Sequence, residues 1–342
     1  MQRETFIKLW HAEGMTGQLS ETWRVALKQL LPVWLASMLL TVREWGEMFH
    51  QWWNIDTYNH VLLVPLIVAW LVAMRREVLV QLEPKAWFPG LIVVAAALCL
   101  WLAGRATGIN LLAHAGAVGV LQATVLAVLG PRVAVALLLP LCFVAFMVPF
   151  GDEIIPSLQA ITAEIAIALT QWSGIPATID DIYINTPVGL FIVAEACSGV
   201  KFLIAMVALG VLVCFTAFES WHRRAAFMLA CVVVPIIANG IRAWGTIYIA
   251  QFLGVEFAAG FDHIFYGWIF FAIVVALLLG GAWRFIERDP EDAGFTVQEI
   301  ECSAFIAWLE RGNVGSGALL AGLCLIFLAF VVGAIYAPAP ML

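Results

Sequence analysis

Charged residues are scarce in this chain. They make up 12% of the 342 residues, whereas 63% of the residues are hydrophobic. A soluble domain usually carries about 25% charged residues, so this composition excludes an ordinary water-soluble globule. Such a high apolar content also excludes a disordered chain. The formal net charge of -7 and the lack of a basic stripe argue against a nucleic-acid partner.

Paired cysteine motifs are missing as well. The seven cysteines form no CxxC and no pair at the spacing of metal ligands. Most of them lie within apolar runs, where cysteine packs as a small hydrophobic residue. We therefore expect neither a disulfide framework nor a metal site. The first twenty residues are polar, so a cleavable signal peptide is not expected either.

Long apolar runs are what the chain has instead, and the mean hydropathy is +0.97. Nine runs are long enough, or nearly so, to cross a hydrocarbon core of about 30 Å as a helix. They fall roughly at 25–42, 59–74, 88–104, 110–130, 132–150, 200–218, 225–250, 264–282 and 315–336. These runs predict an all-α polytopic membrane protein with about nine transmembrane helices.

The segment 151–199 has a different pattern. Its first part, 154–172, is amphipathic and predicts a helix. Its second part has turn residues and β-branched pairs, which predict a short hairpin-like loop at the membrane surface. A surface position is required because irregular backbone cannot leave its amides unpaired among lipid tails.

The distribution of lysine and arginine predicts the topology. If 154–172 lies along the outer surface and does not cross, nearly all the basic loops fall on one side. Only Arg43 and Arg105 fall in loops on the other side, and 151–196 holds no lysine or arginine. We therefore expect a multi-pass membrane protein with a cytoplasmic N-terminus.

This topology brings three polar groups to a similar depth near the outer face. Cys197 begins an out-to-in run, Arg242 lies late on an in-to-out run, and His263 begins the next out-to-in run. Alone, each residue is explained by packing, by snorkelling to head groups or by a helix cap. Together they are suited to acyl transfer, with the thiolate as nucleophile and the histidine as proton carrier.

The neighbours of these residues fit that chemistry. A helix start and the nearby cation of Lys201 are expected to lower the pKa of the Cys197 thiol. The guanidinium of Arg242 is a fixed set of donors for a developing oxyanion. Asn239 lies three residues before Arg242 on the same helix face, where it could orient the guanidinium or donate a hydrogen bond itself.

Three motifs in this order resemble the exosortase/archaeosortase family: EACSGVK (195–201), NGIR (239–242) and HIFYGW (263–268). The aromatic entry TYNH (57–60) and the PFGDEIIPSLQ stretch (149–159) are also similar, so the resemblance covers roughly 40–285. Members are polytopic membrane cysteine transpeptidases. The resemblance implies a catalytic domain over 1–285, and 286–342 departs from the family pattern as an acidic cytoplasmic stretch plus an extra transmembrane helix.

Residue roles are also implied by the resemblance. Cys197 matches the family nucleophile, Arg242 the family arginine, and His263 the third catalytic position, where histidine favours a bacterial exosortase. Four further residues are candidates for contacting the substrate or supporting these three: His60, Glu195, Lys201 and Asn239.

The substrate is implied in the same way. The family cleaves a C-terminal sorting tail of exported proteins, which consists of a PEP-type motif, a transmembrane helix and a basic cluster. The resemblance implies a thioester on Cys197 at the outer face of the bacterial cytoplasmic (inner) membrane, with no metal or organic cofactor. Members often accompany exopolysaccharide production.

Two other functions remain open on the sequence. In a transporter or channel, Arg242 and Lys201 could line a pathway, although no repeat is visible and the polar residues cluster at one depth. In an intramembrane serine protease, Ser198 and His263 would form the catalytic dyad. A thiol-redox role is weaker, because no second cysteine lies near Cys197 in the sequence.

Overall fold

The computed structural model describes residues 20–261 and 269–336, which are mostly helical, as predicted. In chain order the helices are α1 Glu21–Leu40, α2 Val42–Asn54, α3 Val64–Met74, α4 Arg76–Gln81, α5 Gly90–Thr107, α6 Asn110–Ala136, α7 Leu138–Val144, α8 Ile155–Trp172, α9 Val200–Ala217, α10 Trp221–Leu253, α11 Val255–Phe261, α12 Phe271–Trp283, α13 Val297–Cys302, α14 Ala304–Leu309 and α15 Ser316–Tyr336. The strands are β1 Thr178–Asp180, β2 Tyr183–Thr186 and β3 Gly189–Ile192.

Within the described residues, six helices are long and apolar enough to cross a membrane. They are Gly90–Thr107, Asn110–Ala136, Asp152–Trp172, Glu195–Ala217, Trp221–Leu253 and Ser316–Ile335. A seventh span results if α1 and α2, which are bent by 81° at their junction, are taken as one. The protein is therefore a multi-pass membrane protein, and the predicted count of nine spans is not confirmed.

The predicted spans and the helices of the structure differ in particular segments. Helices Asn59–Met74, Leu138–Met147 and Phe271–Trp283 are apolar but too short to meet the length criterion. Conversely, Asp152–Trp172 meets it, although the charge distribution placed 154–172 along the outer surface. Its position relative to the membrane stays a prediction, as does the orientation of the chain.

By its internal contacts the chain divides into two compact units, the first formed by 20–53, 61–149 and 294–336 and the second by 54–60 and 150–293. The sequence predicted a different boundary, between a catalytic domain that ends at residue 285 and the C-terminal part 286–342. That boundary stays a prediction. In the first unit, α5 packs closely on α6, because glycine removes the side chain at the crossing points. A Cβ at Gly116 would lie 2.4 Å from the backbone of Trp101, and one at Gly104 would lie 2.3 Å from that of Ala113.

The long helix α6 is bent at Gly130, whose φ is 83°. A side chain there would also meet the carbonyl oxygen of Lys85 at 2.3 Å. Pro131 follows and supplies no amide hydrogen for the helix ladder. The apolar run 132–150 begins after this bend and does not form one straight helix, because it is divided between the end of α6, α7 and a 3₁₀ turn, Ala145–Met147.

In the second unit, α10 is the central element, and α8 and α9 both pack on it. The predicted hairpin is present as a three-stranded antiparallel sheet in the order β1-β2-β3. Ile184 of β2 is buried and contacts Ala166 and Ile167 of α8 and Ile247 of α10. These apolar contacts fix the sheet beside the second half of α10, next to the segment that carries Cys197.

Candidate functional site

Cys197 closes a short 3₁₀ turn, Glu195–Cys197, between β3 and α9. The amide of Cys197 donates to the carbonyl oxygen of Ala194 at 2.8 Å, and the amide of Ser198 donates to that of Glu195 at 3.0 Å. The half-buried Cys197 thus lies directly before the first turn of α9. The positive end of a helix dipole favours negative charge, so this position is suited to a thiolate.

Gly199 connects this turn to α9. Its φ is 83°, a backbone conformation that residues with a side chain rarely adopt. The position is also crowded. A Cβ on Gly199 would lie 2.7 Å from Cγ of Asn239. Both the turn and the close approach of α10 therefore require glycine here.

The side-chain amide of Asn239 joins three elements of the unit. Its Nδ2 donates to the carbonyl oxygen of Cys197 at 2.8 Å and to Oγ1 of Thr162, on α8, at 3.0 Å. Asn239 and Thr162 are both buried. The sequence predicted that Asn239 would orient Arg242 or donate directly to a ligand. In the structure both N–H groups of the amide are used to hold Cys197 and α8.

Arg242 lies one turn after Asn239 and is also buried, with 8% of its surface exposed. It lines a cavity of about 70 Å³ together with Cys197. The other lining residues are Ile184, Phe191, Ile192, Val193, Asn239, Ala243, Thr246 and Ile247. Cys197 and Arg242 therefore line one small, mainly apolar cavity between the sheet and α10.

A second, smaller cavity lies on another side of Arg242. It has a volume of about 10 Å³ and is lined by Asn239 and Arg242 together with Phe270 and Phe271. His263, with the rest of 262–268, lies outside the described residues. The chain that follows this segment thus returns beside Arg242 at the start of α12.

Three of the further candidates lie outside the lining of the 70 Å³ cavity. Glu195 is exposed at the start of the 3₁₀ turn. The Nζ of Lys201 lies 5.1 Å from the ring centre of Phe202, a cation–π contact. Among the described residues, Nε2 of His60 is buried and has no hydrogen-bond partner.

Next to His60, the hydroxyl of buried Tyr58 donates to Asp152 at 2.7 Å, within the same unit. Burial, reinforced by the carboxylate of Asp152, raises the pKa of Tyr58 above its usual value. The neutral phenol therefore keeps its proton and ties the TYNH segment to the start of α8.

Ser198 has a structural position. It is 2% exposed, its Oγ accepts the amide of Val200 at 3.3 Å, and it does not line the cavity. A buried hydroxyl that accepts an amide hydrogen bond at the start of α9 is poorly placed for attack on a substrate. Its neighbour Cys197, in contrast, lines the cavity.

The sequence analysis did not identify Thr162 and Gln159 as parts of the site. Both are buried polar residues on α8, and Nε2 of Gln159 donates to the carbonyl oxygen of Val193 at 2.7 Å. Their spacing of three residues on an amphipathic helix was the available signal. It did not reveal their partners, which lie 34 and 77 residues away in the chain.

Comparison with known proteins agrees with the sequence resemblance. Neither the search of curated proteins nor that of solved structures finds a significant match. Residues 52–280, more than half of the chain, match the family described as transmembrane exosortase. This range contains the 3₁₀ turn with Cys197, the cavity and Arg242. The chain therefore belongs to the transmembrane exosortase family.

Proposed function

We propose that the protein is a membrane-embedded cysteine protease and transpeptidase that cleaves the C-terminal sorting tails of exported proteins. The observation that carries this proposal is that Cys197 and Arg242 line the same small cavity. Family membership supports a transpeptidase role in the membrane. The sorting tail would consist of a recognition motif, a transmembrane helix and a basic cluster, as the family resemblance implies.

The proposed reaction begins at the Cys197 thiolate. Sγ attacks the carbonyl carbon of the scissile peptide bond, and the guanidinium of Arg242 stabilises the oxyanion that forms. The C–N bond then breaks, and His263 passes the proton from the thiol to the leaving amine. The remaining thioester is attacked by an acceptor amine or by water, which restores the thiol.

The apolar lining of the cavity supports this chemistry. Apolar side chains line the cavity together with Cys197 and Arg242, among them Ile184, Phe191, Val193 and Ile247. Charges interact more strongly in such surroundings than in water, so Arg242 would stabilise an oxyanion more than it would in water.

The test uses a tagged exported reporter that ends in a sorting tail and is co-expressed with the protein. We expect Cys197→Ala to abolish processing and Ser198→Ala to retain it. Cys142→Ala is the matched control, because that exposed cysteine lies in the first unit, away from the cavity lining. Normal processing by the Cys197→Ala protein would refute the mechanism, and loss of activity in Ser198→Ala alone would favour the serine protease.

The proposed location of the site, at the outer face of the cytoplasmic membrane, has its own test. A variant with Cys197 as its single cysteine is treated in intact spheroplasts with a membrane-impermeant thiol reagent. We expect labelling from the outside. Labelling only in inverted vesicles would place the site on the cytoplasmic side and contradict the topology.

A further inference from the structure

Strand β3 is an edge of the three-stranded sheet, and its C-terminal end leads into the cavity beside Cys197. β3 pairs with β2 on one side only in the described sheet. Phe191, Ile192 and Val193 line the cavity. An edge strand presents a row of backbone donors and acceptors to which another extended chain can add.

The hydrogen-bond pattern shows which groups face outward. The amide of Val193 donates to the carbonyl oxygen of Ile182 at 3.0 Å, and Phe191 pairs with Ile184 in the same register. In an antiparallel ladder alternate residues bond to the partner strand. The amide and carbonyl groups of Leu190 and the amide of Ile192 therefore point away from β2.

The side chains of these two residues are also exposed. Leu190 is 63% and Ile192 51% exposed, while Phe191 between them packs on the core of the unit. Edge strands commonly carry a charged residue, a proline or a bulge that discourages pairing with another chain. β3 carries none of these. An uncharged, apolar edge of this kind is able to pair with an extended peptide.

We propose that the substrate binds by adding the extended segment before its transmembrane helix as a fourth strand on β3. This inference rests on the proposed function. Pairing of the substrate backbone with Leu190 and Ile192 carries the peptide along the edge to Cys197. One substrate side chain then enters the cavity, whose volume of about 70 Å³ is roughly half that of an engineered cavity of ~150 Å³ that accepts benzene. The pocket thus selects a small residue beside the scissile bond.

Crosslinking tests binding without catalysis. A photoreactive amino acid is placed at position 190 or 192 of the full-length Cys197→Ala protein, and the tagged reporter with a sorting tail is co-expressed. The matched control is position 178, because Thr178 is also exposed but lies on β1, the opposite edge of the sheet. We expect crosslinks to the reporter from 190 and 192 that exceed those from 178 at least fivefold.

A second test removes the outward donor in the otherwise unchanged protein. Proline at position 190 deletes an amide hydrogen that the β2 ladder does not use, so Leu190→Pro is compatible with an edge strand. Leu190→Ala is the control, because it shortens the side chain but keeps the amide. We expect Leu190→Pro to lower the processing rate about tenfold, the upper range for one hydrogen bond, and Leu190→Ala to lower it less than threefold. Reaction of Cys197 with a small thiol reagent should be equal in both variants if the site remains folded.

Several outcomes would overturn the inference. Equal crosslinking from 178 and 192 would do so, as would equal rates for Leu190→Pro and Leu190→Ala. Crosslinks between two copies of the protein from position 190 would show that the edge pairs with itself. If the reporter crosslinks from 192 but the wild-type protein does not process it, the proposed catalysis fails while the binding edge stands.

Discussion

The side-chain amide of Asn239 donates a hydrogen bond of 2.8 Å to the backbone carbonyl oxygen of Cys197. The two residues are 42 positions apart in the chain and lie on different elements. The contact therefore holds the proposed nucleophile by its backbone. It also places Arg242, one helical turn further along α10, at the cavity that Cys197 lines.

Asn239→Asp is expected to reduce processing at least tenfold with little change in shape. The substitution replaces the NH2 group with an acceptor oxygen, which cannot donate to the carbonyl oxygen of Cys197 and keeps a contact with Thr162 only if the hydroxyl donates instead. A buried polar group that loses its partner costs about 1–3 kcal/mol. Thr162→Val removes only one of the two contacts and should have a smaller effect. Processing rates and apparent melting temperatures in detergent measure both, and equal rates for Asn239→Asp and wild type would contradict the role.

Gly199→Ala is expected to destabilise the site more than Gly174→Ala. Both glycines have φ near 80°, so each substitution carries the cost of a left-handed backbone, about 1–2 kcal/mol. Only at Gly199 does the new Cβ collide with Asn239, at 2.7 Å, whereas nothing lies within 4 Å at Gly174. The difference in melting temperature between the two variants isolates the collision. If Gly174→Ala proves equally costly and equally inactive, the contact with Asn239 is irrelevant.

Arg242→Lys is expected to slow processing about 10²-fold while the protein still inserts and folds. Lysine keeps the charge but lacks the planar set of donors, and removal of one oxyanion donor typically costs about 10²–10³ in rate. Arg105→Lys is the matched control, since Arg105 belongs to the first unit and pairs with Glu44 at 3.9 Å. Rates under saturating reporter separate a loss of chemistry from a loss of binding. A wild-type rate in Arg242→Lys would remove the guanidinium from the mechanism.

Glu287 provides a test of stability against pH. Its carboxylate accepts the amides of Glu219 and Ser220 at 2.7 and 2.9 Å, just before α10 begins. These hydrogen bonds lower the pKa of Glu287 below its usual 4.5. Because the folded-state pKa is lowered, the stabilisation is complete above pH 4.5 and is lost as the pH falls through the folded-state value.

Glu287→Gln should therefore have a lower melting temperature than wild type at neutral pH, and the two curves should converge in acid. Glu291→Gln is the control, because Glu291 is an exposed acidic residue in the turn that follows. Melting curves in detergent between pH 7 and pH 3 measure the effect. A constant difference over the whole range would mean that the carboxylate charge does not stabilise the segment before α10.

The membrane character and most helix positions could be predicted from the sequence because they depend on local composition. Each of the nine predicted apolar runs contains a helix, and the pattern of 175–193 forms a small sheet as expected. The number of spans could not be predicted as reliably. Apolar length alone does not distinguish one straight helix from the three pieces that 132–150 forms, namely the end of α6, α7 and a 3₁₀ turn.

For the site, the motifs by themselves determined that Cys197, Asn239 and Arg242 are the exceptional polar residues of an apolar chain. Which of them touch was decided by the packing of α8 and the sheet on α10. A sequence motif records residue types and spacing, but contacts over 34 to 77 residues depend on how helices cross and which groups they bury. Only the tertiary structure therefore showed that Asn239 holds the backbone of Cys197, that Ser198 is buried, and that β3 ends beside the cavity that Cys197 lines.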